Sequence, residues 1–365
     1  MDMSVFINSL RDPMGLPFYP VVFQGLMVLT FALHIVMINL VVGSLLLALW
    51  GRFSGKGYPL RLAHALARGV TVILSVAIVL GVAPLLFVQT IYDPLWYSAN
   101  LLSAWWAMVF LLLVTLAFLA AYVFYLRSAE QPRWGLKACL FSIAAVVGAG
   151  TIMHMLHMEG LQPQSWAGWF SGSGELATSG WAFHGFSIGR FGHFMAPALV
   201  NVGILLMLYA WYFARRPGSD RDYLEWTAIL GAGIMRLALV VQMAFGFWWF
   251  FEIPGELNFL AHPAFHFGLL VALIAIGLLF WISYRPLERA PWAALTSIVT
   301  VLAMGVTREA LRMVYLKPFD YSIYQYPVQL DWGSTLLFLA TFVGGLVVMA
   351  YPLMIAFKSG RGEQV

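Results

Sequence analysis

Histidine and arginine are the residues through which this sequence could do chemistry. His34, His154, His157, His184, His193, His262 and His266 lie in or beside apolar stretches, and only His64 stands in a polar connection. Ionisable side chains at membrane depth are costly and usually functional. Imidazole is the commonest metal ligand and the usual axial ligand of b-type haem. A non-covalent haem in a helix bundle needs one histidine from each of two helices at matching depth. His193 and His266 meet that condition, each about one turn inside the same boundary. A single buried histidine is more often a satisfied core residue, and it is the clustering that favours ligation. His154 and His157 are three apart and share a helix face, where they either ligate, shuttle protons or line an interface. His184 and His262 read as loop or boundary residues.

A second group ends the eighth apolar run, Thr307-Arg308-Glu309-Ala310-Leu311-Arg312. Arg308 and Arg312 are four apart and face one way, and guanidinium groups suit haem propionates. Glu309 offers a carboxylate that can ligate a high-spin haem iron. The plainer alternative is a solvated helix end with both arginines among lipid headgroups. Arg236 lies about 11 residues inside the sixth run, roughly 16 Å along a helix, which is too deep for snorkelling. It calls for a buried partner: a propionate, a carboxylate or a line of carbonyls. Met153, Met155, Met158 and Met195 neighbour the histidines, and packing is their expected role, with axial ligation the alternative. Cys139 is the single cysteine. It excludes an intramolecular disulfide, a covalent C-x-x-C-H haem site and iron–sulfur ligation by this chain alone, and it reads as a packing residue.

The elements that carry these residues follow from composition. Of 365 residues, 62% are hydrophobic and 10% charged, against roughly 25% charged in soluble domains. Lipid must therefore be the main solvent, and no basic patch for nucleic acid is present. Nine runs are long enough to span: 20–50, 66–92, 100–126, 135–158, 190–214, 225–251, 262–284, 291–314 and 333–357. This predicts an all-α integral membrane bundle of about nine transmembrane helices in a single domain (residues 1–365), with 159–189 as a loop capping one face. Basic residues gather on alternate connections: Arg52, Lys56, Arg61 and Arg68; Arg127, Arg133 and Lys137; Arg215, Arg216 and Arg221; Arg285 and Arg289; Lys358 and Arg361. The opposite side holds Arg11, Arg190, Arg308, Arg312 and Lys317. The positive-inside rule then places the N-terminus outside and the C-terminus in the cytoplasm, with the histidine cluster towards the outer face. The N-terminal segment, with Asp2, Arg11 and Asp12, does not read as a signal peptide. No internal repeat is evident, which weighs against an inverted-repeat transporter.

Four segments carry a family resemblance. LTFALHIVMINLVVGSLLL, RFGHFMAPALVNVG, FHFGLLVALIAIGLLFW and the Glu309–Arg312 spacing together resemble subunit I of cytochrome bd quinol oxidases. The resemblance implies that His34, nine residues before Gly43, ligates a high-spin haem. It also implies that His193 and His266 hold a low-spin haem b, with His266 where the family usually has Met, and that Glu309 is a further iron ligand. It implies one or two haems beyond the low-spin one, and quinone or quinol as a partner. Two departures matter. The long quinol-binding loop of the family is reduced here to FEIPGELNFLA, with Glu252 and Glu256. The glutamate of the oxygen-reducing site is matched by Gln89, which cannot deliver a proton. The expected function is therefore a haem b-carrying redox subunit of a respiratory complex in a bacterial or archaeal cytoplasmic membrane. It would pass electrons between the quinone pool and an outer-face partner such as a c-type cytochrome, alongside other membrane subunits. A working quinol:oxygen oxidase and a haem-free polytopic transporter are the alternatives.

Overall fold

The computed structural model describes residues 2–127, 131–171 and 179–360. The regular structure of these residues is helical, with one isolated parallel bridge between Leu16 and Val328. In chain order the helices are α1 (Met3–Ser9), α2 (Pro20–Ser54), α3 (Gly57–Ile91), α4 (Asp93–Leu102), α5 (Ala104–Arg127) and α6 (Pro132–Gly160). They continue with α7 (Trp166–Ser171), α8 (Ile188–Met195), α9 (Pro197–Phe213), α10 (Arg221–Glu252), α11 (Pro263–Ser283), α12 (Pro286–Leu316) and α13 (Trp332–Gly360).

Eight of these are long and apolar enough to cross a bilayer, counting α8 and α9 as one span from Ile188 to Phe213. The ninth predicted run forms α13, whose apolar stretch covers Trp332–Val348. In hydrocarbon every backbone N–H and C=O needs an internal partner, which a helix supplies within itself. The chain is thus an all-helical, multi-pass membrane bundle. Proline opens α2, α6, α11 and α12 at the first helical position, where no N–H is missed.

Two elements differ from the hydropathy reading. Helix α3 begins at Gly57 rather than at 66. Its first turns are amphipathic and lie on the water side, where Arg61 pairs with Asp220 at 2.6 Å and Arg52 lies 3.1 Å from His64. The fifth run is not one helix but α8 and α9, separated at Ala196, because Pro197 cannot continue the hydrogen-bond ladder.

Consecutive helices are the main packing partners: α2 with α3, α5 with α6, α9 with α10 and α11 with α12. Helix α2 also packs on α9 and α12 and so lies at the centre. Small residues let these helices approach closely. Gly203 on α9 and Gly231 on α10 face each other so tightly that a Cβ on either would lie 2.5 Å from the other's carbonyl oxygen. Replacing Gly203 with Val therefore overpacks backbone against backbone. The expected cost is at least about 1–3 kcal/mol, read as a lowered melting temperature of the detergent-solubilised protein, with Gly233→Val as control because open space surrounds it.

One end of the bundle is closed by the N-terminal segment and two connections. The Leu16 N–H donates to the Pro327 carbonyl at 2.8 Å, and Arg11 donates to the Ser322 carbonyl and to Gln325 Oε1. The described part of 159–189 folds back on α5 and α6. Trp181 stacks on Trp105, Ser103 Oγ bonds the Ala182 carbonyl, and Trp166 Nε1 donates to the Glu159 carbonyl. Residues 172–178 of that predicted cap lie outside the described residues.

Candidate functional site

At this same end a set of charged side chains is buried between α2, α6, α8 and α12. Glu309 (3% exposed) and Arg312 (4%) lie one turn apart on α12, with Arg312 Nη1 3.3 Å from Glu309 Oε2. Glu309 Oε1 accepts from the Tyr92 hydroxyl and from Gln24 Nε2 at 3.2 Å. Burial, and then the neighbouring carboxylate, push the Tyr92 phenol well above its ordinary range, so Tyr92 stays protonated and donates. The Arg312 guanidinium lies over the Tyr92 ring and places Nη1 3.5 Å from the Met27 sulfur.

Arg190 on α8 is 2% exposed and interacts electrostatically with both Arg308 and Arg312. Its Nη1 lies 2.7 Å from the Met158 sulfur, and its guanidinium faces the rings of Phe194 and Trp249. Arg308 lies over Phe31 at 4.1 Å and reaches His157 Nδ1 at 3.5 Å. Arginine only donates, so His157 accepts at Nδ1 and carries its proton on Nε2. Among the described residues that Nε2–H has no hydrogen-bond partner, and neither do the enclosed Nε atoms of Arg190, Arg308 and Arg312. Arg308 and Arg312 thus share Glu309, Arg190 adds a third buried guanidinium beside them, and Arg190 and Arg312 each point a nitrogen at thioether sulfur, a weak acceptor. Buried charge without matched partners is strongly destabilising. The cluster therefore carries an excess of buried positive charge and has the character of an anion site.

The sequence-predicted residues separate into two groups. His157, Arg308, Arg312 and Glu309 come together in the cluster. His34 and His193 adjoin it through Phe31 and Phe194, whose rings meet edge to face at 6.4 Å. The His34 Nδ1–H donates to the Ala77 carbonyl at 2.8 Å, which fixes the tautomer and leaves the Nε2 lone pair free, as a metal-ligating imidazole requires. The ring fits over Gly81, where a Cβ would lie 2.7 Å from Cε1. His193 is held between Gln242, 3.1 Å from Nδ1, and Trp249. Gln242 Oε1 is buried without a partner. Turning that amide over would let it accept the ring N–H and leave the other ring nitrogen free.

His154 is buried against Phe186 and Phe191, and its Nε2 accepts from the Ser187 N–H at 3.4 Å, so that lone pair is engaged. His266 stands apart. It is exposed on α11 and donates from Nδ1 to the carbonyl of His262, one turn back on its own helix. The structure does not bring His193 and His266 together: one ring is enclosed against α10, and the other faces away from the bundle. His262 caps α11 by accepting from the Ala264 N–H, and His184 lies in the loop stacked on Trp169, both as boundary residues. Cys139 is buried, with its thiol near the Leu45 carbonyl. Among the described residues no group of three or more His, Cys, Asp and Glu side chains is arranged to hold a bare metal ion.

Sequence reasoning missed Arg190, Tyr92 and Gln24. Arg190 was recognisable, because it lies three residues before His193 and so shares its face. Tyr92 and Gln24 carry no such signal.

Two cavities adjoin the cluster. One of about 30 Å³ is lined by Tyr92, His157 and Arg312 among apolar residues, room for about one water. The other, about 310 Å³ and more open, lies between Tyr92, His262, Lys317, Asp320 and Tyr321. No protein-family model matches the chain, and no curated protein matches it. What the fold and the site define is a multi-pass helical membrane protein with a buried, under-neutralised cationic cluster beside enclosed histidines.

Proposed function

We propose that the protein is a haem b-carrying redox subunit of a respiratory membrane complex, oriented with its N-terminus outside. It passes electrons between the quinone pool and an outer-face partner such as a c-type cytochrome. The observation that carries this reading is the charge imbalance of the buried cluster: Arg190, Arg308 and Arg312 lie together, and Glu309 is the buried carboxylate that meets Arg308 and Arg312. The two propionates of haem b supply the missing charges, and the orphan N–H groups of the three arginines and His157 are donors suited to carboxylate oxygens. His34 and His193 are the enclosed imidazoles available to iron, and Phe31, Phe194 and Trp249 supply an apolar lining. When bound, the haem supplies one-electron redox chemistry. The chain's own residues neutralise its charged edge, orient imidazole nitrogens and exclude water. The cleft beside His262 and Tyr92, at about 310 Å³, suits a quinol headgroup.

A second reading rests on the smaller cavity. Its volume of about 30 Å³ accommodates a monatomic anion between Tyr92, His157 and Arg312, whereas a porphyrin requires Phe31, Phe194 and their neighbours to part. In that case the protein is a haem-free anion-binding or transport protein.

Reduced-minus-oxidised spectra with pyridine haemochrome quantitation decide between them. The expected result is a b-type spectrum that loses its low-spin component in His193→Ala and keeps it in His266→Ala. Well-folded, colourless protein from haem-replete cells would overturn the haem reading and favour the anion one. Loss of the low-spin component in His266→Ala would instead restore His266 as its ligand.

A further inference from the structure

Arg236 lies about 15 residues inside α10 from either end, roughly 22 Å along the axis and thus near the bilayer centre. It is partly exposed, and it makes no hydrogen bond, ion pair or ring contact among the described residues. Among the described residues no carboxylate or backbone carbonyl meets it. Its side chain cannot reach either headgroup region from that depth.

The residues sharing its face define a surface. At helical spacing Ile229, Gly233, Arg236, Val240, Ala244 and Phe247 form one stripe along α10. Ile229, Val240 and Phe247 are 64%, 52% and 67% exposed, and open space surrounds Gly233. The opposite face of the helix is committed: Gly231 meets α9, and Gly246 adjoins His193. The stripe therefore has small residues on both sides of the arginine, which allow a second helix to approach closely. A lone cation at mid-bilayer depth facing lipid is expensive unless paired. The apolar residues around it exclude water, and the charge fixes the sign of what must meet it. A second copy of this chain does not supply the counter-charge: the acids of its described spanning helices, Glu159, Asp222, Glu225, Glu252, Glu288 and Glu309, all lie within about two turns of a helix end, and Glu309 is already paired with Arg312.

We propose that this face of α10 seats a transmembrane helix of a different subunit, one that carries an Asp or Glu at mid-bilayer depth paired with Arg236. The inference does not depend on the haem reading, since the stripe lies on the far side of α10 from His193.

The test places a photo-crosslinking amino acid at Val240 in the full chain, in its native membrane, with Leu111 on α5 as a control site. Crosslinked products are identified by mass spectrometry. The expected product is a different membrane chain, joined through a helix with a central acidic residue, and seen from Val240 but not from Leu111. Arg236→Leu is compatible with hydrocarbon and should leave the chain folded, yet it lowers the crosslinked yield roughly tenfold, the scale of a lost polar contact between membrane helices. Arg236→Lys retains most of the yield. Substituting the partner's acid with Arg together with Arg236→Glu restores it. A crosslink only to lipid or to a second copy of this chain would overturn the proposal. So would full yield in Arg236→Leu, or a partner helix with no central acid.

Discussion

Replacing Glu309 with leucine is expected to cost the folded protein about 3–5 kcal/mol, the range for removing one member of a buried charge pair. Glu309 pairs with Arg312 and faces Arg308, and it also accepts from Tyr92 and Gln24. Without it Arg312 keeps only the Tyr92 ring and the Met27 sulfur, and Tyr92 loses its acceptor inside the protein. Glu309→Gln should cost less, because its amide oxygen still accepts from Tyr92 while the charge is lost. Adding Arg312→Met to Glu309→Leu should recover a large part of the loss, since two uncompensated groups are then removed together. Reversible unfolding in mixed micelles, followed by tryptophan fluorescence, measures all four proteins. Wild-type stability in Glu309→Leu would mean that the carboxylate is not what holds the arginines, and the description of the cluster would have to change.

Depth along the membrane normal was legible in the sequence, and rotation about the helix axis was not. Hydropathy places the ends of most spans within a few residues of α2, α5, α6, α10 and α12, because burial in lipid is a property of composition that a sliding window can see. The same reasoning sets His193 and His266 at matching depth. Their directions depend on which side of each helix faces the bundle. In α11 the residues around His266 are apolar all round (FHFGLLVALIAIGLLFW), so no polar face marks the lipid side. The structure turns Gly268 of α11 towards Thr307 of α12, and His266, two residues earlier, points out. Arg308, Glu309 and Arg312 were easier to read, since charges at the end of an apolar helix stand out whatever their direction. Arg190 belongs with them in space but is distant in sequence, and only the reach of its side chain to Met158 of α6 and towards Arg312 of α12 reveals it.

The same limit applies to glycine, and it gives the second large effect. In the sequence the glycine that stands out beside His34 is Gly43, nine residues further on. The structure sets Gly43 against Ala198 and Val202 of α9, where it serves helix packing. The glycine that makes room for the His34 ring is Gly81 on α3, where a Cβ would lie 2.7 Å from Cε1 and 2.8 Å from Nδ1. Gly81→Val therefore pushes the imidazole off its seat and breaks the Nδ1–H bond to Ala77, which sets the free nitrogen. Overpacking of this kind costs about 1–3 kcal/mol, but the larger effect falls on the site. On the proposed function, haem content in Gly81→Val drops to the level of His34→Ala. Gly69→Val on the same helix, where nothing lies within 4 Å of the added atom, should leave the spectrum unchanged. Pyridine haemochrome assays on the three variants make the comparison. A wild-type spectrum in Gly81→Val would remove His34 from the set of iron ligands and leave His193 as the one enclosed imidazole available to iron.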